Sequence, residues 1–154
     1  MAVTDIDKGY DNLVAELGSM DQPYVLVGIR QDKGGQVELG EELTLAAIAS
    51  VNEFGSEDGH VPSRPFLRFT VDSNQAEYVA ELGEIIGRAV DGKATTEEGL
   101  TKLGLKAVRD VQATITTNDF KENAQATKDA KGSTSPLIDT GRLRQSIDFE
   151  VGGT

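Results

Sequence analysis

The sequence contains no cysteine and only one histidine. Without cysteine the chain has no disulfide, no thiolate metal ligand and no thiol nucleophile. His60 lies between Gly59 and Val61, and a single histidine provides neither three convergent metal ligands nor a Ser-His-acid triad. We therefore expect no metal site and no bound cofactor.

Long apolar runs are also missing. Nowhere do about 18 apolar residues follow one another, which is the length that a membrane-spanning helix requires. The first residues, MAVTDIDKGYDNLVAEL, lack the basic start and apolar run of a secretory signal. We expect a soluble protein that is not exported by such a signal and has no membrane partner.

Basic residues are scarce, and the net charge is −11. The excess of acid lies at the front, because residues 1–60 carry 12 acidic residues against 3 basic ones. Binding to nucleic acid through phosphate neutralisation needs a basic patch, so this mode is not expected. An acidic surface would instead let DNA pass without holding it.

The length of 154 residues predicts a single domain over residues 1–154. Residues 1–22 read as an amphipathic helix with apolar positions at helical spacing; these are Ile6, Tyr10, Leu13, Val14 and Leu17. Residues 24–29 are mostly β-branched or aliphatic and predict a strand, which the turn residues 32–35 would continue as a hairpin through Val37 and Leu39.

Three further helices are predicted from periodicity and end signals. One covers residues 44–54 with Gly55 as a left-handed C-cap and an apolar stripe of Leu45, Ile48, Val51 and Phe54. A second runs from an Asn74–Glu77 cap to about Gly92, with a core face of Val79, Leu82, Ile86 and Ala89. A third begins at Thr95, with Glu98 as the reciprocal cap, and should pair with the second as an antiparallel hairpin.

Residues 116–135 are polar, and a loop of about 20 residues is longer than compact domains usually contain. We interpret this segment as an extended arm that a partner orders. Ile147, Phe149 and Val151 then alternate with acidic residues and predict a half-buried final strand. The expected fold class is α+β: a small antiparallel or mixed sheet packed by about three to four helices, with a long extended arm before the C-terminal strand.

Asp139-Thr140-Gly141 follows two aliphatic residues, as in the active-site strand of an aspartic protease. That chemistry needs two carboxylates sharing one proton, so a second copy must come from a repeat or a dimer. The chain has one copy, followed by two arginines that would lower the pKa of the pair. The alternative, which we favour, is that Asp139 caps a short helix leading into the last strand.

The stretch PSRPFLRF at residues 62–69 has two prolines, two arginines and two phenylalanines. Aromatic and arginine side chains are enriched where proteins bury one another, although Phe66 and Leu67 could equally fill the core of the chain itself. Together with the C-terminal segment, this stretch gives the predicted partner interface: Phe54, Pro62, Arg64, Pro65, Phe66, Leu67, Arg68, Asp139, Thr140, Gly141, Arg142, Leu143 and Arg144.

Three blocks occur in a distinctive order: VNEFG at residues 51–55, VPSRPFLR at 61–68, and KGS at 131–133 leading into PLIDTGRLRQSI at 136–147. Their order and spacing resemble the tail-completion or neck proteins of tailed bacteriophages and prophages. The resemblance covers about residues 24–151. The arm departs from it, since residues 120–124 read FKENA and the stretch from there to Lys131 lacks the aromatic residue and the proline that are expected before this lysine.

The resemblance implies a non-enzymatic structural protein of the virion, with an α+β fold. It would complete the tail or join it to the head, as a homo-oligomeric and commonly six-fold ring around the DNA channel. The implied partners are other copies, the connector or head-completion protein, and the tail terminator or tail tube. It would be made in the host bacterial cytoplasm and reside in the virion neck. Two alternatives stay open: a dimeric aspartic protease using Asp139, and a monomeric cytosolic adaptor whose arm orders on binding a partner.

Overall fold

The computed structural model describes residues 23–29, 44–117, 120, 137 and 141–152. In these ranges the chain forms β1 (Tyr24–Ile29), α1 (Leu45–Phe54), α2 (Phe66–Val90), α3 (Thr96–Thr117), α4 (Arg142–Ser146) and β2 (Ile147–Gly152). The two strands pair as an antiparallel sheet, which confirms the predicted α+β class. No helix in this part of the chain is long and apolar enough to cross a membrane.

Two of the three predicted strands are confirmed, as β1 and β2. The amphipathic helix of residues 1–22 and the hairpin strand at Val37 and Leu39 lie outside the described residues, as does most of the arm. The first two residues of that arm, Thr116 and Thr117, are the last turn of α3 rather than extended chain.

Helix α1 ends at the predicted residue and begins one residue after the predicted start, but it buries a different side. The Thr44 hydroxyl accepts from the amide of Ala47 at 3.3 Å and caps the first turn. Gly55 ends the helix at φ +84°, as expected for a glycine, but its ψ of 171° lies outside the left-handed helical region. The buried side is Leu45, Ala49 and Glu53, whereas Phe54, which was predicted in the apolar stripe, is 66% exposed.

Helix α2 begins eight residues before the predicted start. Its first residue is Phe66, immediately after Pro65, and Asn74 is an interior position rather than a cap. The predicted core face is also wrong for three of its four residues, because Val79, Leu82 and Ile86 are exposed and only Ala89 is buried.

The described residues fall into two compact units, and the first comprises 23–26, 74–106 and 150–152. Here α2 and α3 form the predicted helical hairpin. The reciprocal cap of α3 is confirmed, because the amide of Glu98 donates to the Thr95 hydroxyl at 3.1 Å and the amide of Thr95 to the Glu98 carboxylate at 3.3 Å. Gly99 lies against Ile85 so closely that a Cβ on this glycine would collide with the isoleucine side chain.

The second unit comprises 27–29, 44–73, 107–117, 120, 137 and 141–149. It contains a core of eight buried residues: Leu45, Ala49, Phe66, Val111, Ile115, Leu137, Leu143 and Ile147. Phe66, at the start of α2, is fully buried in this core. The hydroxyls of Thr70 and Thr114 lie 2.7 Å apart, which satisfies a polar pair between α2 and α3.

The short helix α4 has Gly141 at its N-cap position, which adopts φ +76° and has no side chain of its own to act as a cap. Asp139 and Thr140 lie outside the described residues. Leu143 and Ser146 are buried, and the Ser146 hydroxyl donates to the carbonyl of Leu143 at 2.7 Å.

Candidate functional site

The two blocks VNEFG and VPSRPFLR meet at the buried carboxylate of Glu53. Its side chain is 5% exposed and lies at the start of α2. The carboxylate accepts from the amides of Leu67 at 2.9 Å and Arg68 at 3.1 Å, and from Nε of Arg68 at 3.0 Å. A helix start has unpaired amides and a partial positive charge, so an anionic acceptor stabilises it. Glu53 is therefore the N-terminal cap of α2, supplied from α1.

Ser63 in the loop between α1 and α2 and Arg68 in α2 complete this contact. The Ser63 hydroxyl donates to the carbonyl of Glu53 at 2.8 Å, and the guanidinium of Arg68 donates to the same carbonyl at 3.0 Å. These bonds satisfy a carbonyl that the end of α1 would leave unpaired. We call the group of Asn52, Glu53, Ser63, Arg64 and Arg68 the Glu53 cluster.

Arg64 is the most buried cation of this cluster, at 2% exposure. Its backbone amide donates to the carbonyl of Asn52 at 2.7 Å, and its guanidinium donates to the Asn52 side-chain oxygen at 3.0 Å. Burial lowers the pKa of Arg64 below its ordinary value, although an arginine keeps its charge in proteins. Asn52 is fixed in turn, because its amide donates to the carbonyl of Ile48 at 2.9 Å.

An exposed surface lies directly beside this buried cluster. The guanidinium of Arg68 stacks over the ring of Phe54, 5.0 Å from its centre, and the Arg68 side chain is 56% exposed. Val71 lies three residues further along α2, on the same side, and is also exposed. We call Phe54, Arg68 and Val71 the Phe54 surface. An exposed aromatic ring with a stacked arginine is a composition typical of interface hot spots.

The structure separates the predicted interface residues by burial. Phe54, Arg68 and Arg144 are exposed, whereas Arg64, Phe66 and Leu143 are buried within the chain and have no surface to offer to a partner. The others with described positions are partly exposed: Pro62, Pro65, Leu67, Gly141 and Arg142. Phe66 fills the core of the chain itself, which was one of the two interpretations of its stretch, whereas Arg68 is exposed.

The C-terminal block contributes to the same compact unit as the Glu53 cluster. The side-chain amide of Gln112 donates to the carbonyl of Arg144 at 3.1 Å and ties α4 to α3. Leu143 and Ile147 belong to the core on either side of this bond. Arg144 itself extends into solvent.

His60 lies in an exposed turn. Its Nδ1 is 2.9 Å from the carboxylate of Asp58, which also accepts from the Ser56 hydroxyl at 2.5 Å and the His60 amide at 3.0 Å. The Ser56 hydroxyl bond, followed by the His60 amide bond, lowers the pKa of Asp58. Among the described residues no group of three or more histidine or acidic side chains could hold a metal ion.

The first compact unit carries a depression of about 200 Å³. Its lining includes Glu81 and Glu84 from α2, together with Arg88 and Lys102 of opposite charge. This mixture favours neither an anionic nor a cationic ligand.

The role of Glu53 was missed by the sequence analysis. A helix that starts directly after Pro65 could have been inferred from proline's preference for the first helical turn. The capping carboxylate could not, because it comes from fourteen residues upstream.

Comparison with protein-family models, with curated proteins and with solved structures found no match to this chain.

Proposed function

We propose that this protein is a structural subunit of a tailed-bacteriophage virion that completes the tail or joins it to the head at the neck. It acts as one copy of a homo-oligomeric ring, six-fold as the sequence resemblance implies, around the channel through which DNA passes. Its neighbours are the connector or head-completion protein on one side and the tail terminator or tail tube on the other. It has no catalytic role in this proposal.

The observation that carries the proposal is the Glu53 cluster. Two of the three blocks on which the resemblance depends interlock there through a capping carboxylate, a buried arginine and an asparagine. The contacts between the two blocks explain why Asn52 and Glu53 are followed by Ser63, Arg64 and Arg68 in this chain. The same interlock places Phe54 and Arg68 side by side at the surface.

A closed ring of identical subunits needs two different complementary patches on each copy. The Phe54 surface supplies an aromatic and cationic patch. Arg144, at the exposed side of α4, supplies a second candidate position in the C-terminal block. Of the residues predicted at the interface, we therefore keep those that are exposed: Phe54, Arg68 and Arg144.

The charge of the chain fits passage of DNA rather than its capture. With a net charge of −11, the subunit repels phosphates unless a local basic patch overrides the excess. We propose that acidic residues of the N-terminal half line the channel. A ring whose bore is neutral or basic would contradict this part of the proposal.

The proposal is tested by removing the gene from a phage or prophage that carries it and examining the particles by electron microscopy. The expected result is that heads and tails form but do not join, or that tails stay incomplete. Normal infectious particles would refute the proposal.

The interface assignment is tested by replacing Phe54 with alanine. Loss of a hot-spot aromatic side chain typically costs about 2 kcal/mol or more of binding, so assembly should drop by at least about thirtyfold in affinity. Leu105→Ala, at a similarly exposed leucine of α3, is the matched control and should assemble normally. Equal assembly of the two variants, measured by light scattering and particle incorporation, would remove Phe54 from the interface.

A separate experiment tests the alternative that the chain is an aspartic protease. Asp139→Asn should change no peptide cleavage, since none is expected from the unaltered chain at acid pH. Cleavage that disappears with this substitution would replace the structural proposal.

A further inference from the structure

The last part of the chain supplies a large share of the core of the second compact unit. We call residues 137–149, which belong to this unit, the C-terminal segment. Its residues Leu137, Leu143 and Ile147 are buried and make up three of the eight core residues. Burial of apolar side chains is the dominant favourable term in such packing, so these three residues hold the segment in place.

The surface that receives this segment is formed by residues that precede it by many positions in the chain. At its border, Val27 and Ile29 of β1 pack against the core, and β1 pairs with β2. On α3, the side-chain amide of Gln112 donates to the carbonyl of Arg144 at 3.1 Å. We call the buried part of this surface the receiving surface, and it consists of Leu45, Ala49, Phe66, Val111 and Ile115.

The backbone connection between the two parts is anchored at both of its ends. Residues 121–136 connect Phe120 to Leu137. Phe120 packs against the core, and its ring meets the ring of Phe69 edge-on, with the ring centres 6.5 Å apart. Leu137 is itself a core residue. The contacts that hold the C-terminal segment are thus made on either side of the connection, and they do not require that the connection be intact.

We propose that the receiving surface binds the C-terminal segment as a separate peptide would be bound, so that the segment of a second copy of this chain can occupy it. Exchange of an identical element between two copies is domain swapping, and it reuses contacts that each copy already makes within itself. The proposal is independent of the proposed ring, because it follows from contacts inside one chain.

The length of the connection permits such an exchange. Residues 121–136 are sixteen residues, which reach at most about 50–60 Å when fully extended. A small domain is only about 30 Å across, so the C-terminal segment of one copy can reach the receiving surface of a neighbour.

The first test cuts the connection in the full chain. The recognition sequence of a site-specific protease replaces residues 124–130, and cleavage is verified by electrophoresis under denaturing conditions. If the folded chain resists the protease, cutting in urea followed by refolding gives the same two fragments. We expect the fragments to elute together in size-exclusion chromatography with an unchanged far-UV circular dichroism spectrum. A C-terminal fragment that elutes alone would overturn the proposal.

Neighbouring substitutions show whether the core contacts hold the fragment. Leu143→Ala removes a buried side chain and should weaken retention of the fragment by at least about thirtyfold. Arg144→Ala changes the exposed neighbour and should leave retention within about twofold of the unsubstituted chain. If uncut Leu143→Ala fails to fold, Ile147→Val, which removes one methyl group, should weaken retention by about two- to tenfold. Retention that is equal in the alanine variants, or unchanged by Ile147→Val, would contradict the proposal.

Exchange between copies is measured by mixing. Cleaved protein and an equal amount of isotopically labelled cleaved protein are unfolded together in urea and refolded by dilution. Native mass spectrometry should then show hybrid complexes of one labelled and one unlabelled fragment, in the proportion that random pairing gives. Fragments that do not recombine would show that the receiving surface cannot bind the segment of a second copy.

Discussion

Glu53 offers the sharpest test of the structure, because one buried carboxylate joins α1 to the start of α2. Replacement by alanine removes the acceptor of two helix-start amides and of the Arg68 side chain. Each buried donor left without an acceptor typically costs about 1–3 kcal/mol, and Glu53→Ala leaves two such amides. We therefore expect Glu53→Ala to lower the free energy of unfolding by about 2–6 kcal/mol, a large part of the stability of an ordinary domain.

Two further variants separate the contributions to this value. Glu53→Gln keeps the shape and one acceptor but loses the charge, so it should cost about 1–3 kcal/mol. Arg68→Ala removes a partner whose side chain is more than half exposed, and solvent screening limits its loss to about 1 kcal/mol. The expected order of destabilisation is thus Glu53→Ala, then Glu53→Gln, then Arg68→Ala.

Urea unfolding followed by far-UV circular dichroism measures these differences. Glu57→Ala, in the exposed loop after α1, is the control and should stay within about 0.5 kcal/mol of wild type. If Glu53→Ala were no more destabilising than Arg68→Ala, the carboxylate would not be the cap of α2 and the described interlock would be wrong.

Two other predictions concern a close helix contact and an exposed turn. Gly99→Ala adds a Cβ that collides with Ile85, and overpacking of about 1–3 kcal/mol should outweigh the gain of about 1 kcal/mol that alanine brings to a helix. A Cβ added at Gly87 meets no neighbouring atom, so Gly87→Ala should stabilise the fold by about 1 kcal/mol. Equal thermal unfolding temperatures of Gly99→Ala and Gly87→Ala would contradict the close contact between Gly99 and Ile85. Because the pKa of Asp58 is lowered in the folded turn, its hydrogen bonds persist above the unfolded pKa and are lost as the pH falls through the folded one. The amide signal of His60 should follow this titration in NMR spectra, and Ser56→Ala should move the midpoint upward; an unmoved midpoint would remove Ser56 as the main cause.

Elements with signals in their own sequence were predicted well. Gly55 ends α1 as predicted, and the reciprocal pair of Thr95 and Glu98 starts α3, because each signal acts within one helical turn. The strand Tyr24–Ile29 was equally clear from its aliphatic run after Pro23.

The start of α2 was not predictable in this way, since its cap is a side chain from another helix. A capping residue next to the apolar pattern is Asn74, which lies eight residues after the true start of the helix at Phe66. The orientation of α2 was misread for a related reason. Val79, Leu82 and Ile86 have ideal apolar spacing, but the side toward α3 includes Tyr78, whose ring lies under the ammonium of Lys106 at 5.1 Å. Periodicity identifies an apolar face and does not say which partner covers it.

Only some of the predicted interface residues are exposed. The sequence does not distinguish an arginine or aromatic residue at an interface from one buried inside the chain. Arg64 and Phe66 have the residue types of a hot spot, yet both are buried in the chain. Phe54 and Arg68 kept their exposure because the Glu53 cluster holds them at the end of α1 and the start of α2.

The central claim, that this chain is a structural component of a phage neck, is tested most directly by locating it in purified particles. Particles labelled with an antibody against the chain should carry the label at the junction of head and tail, in a ring of fixed copy number. Mature particles that contain none of this protein would contradict the claim.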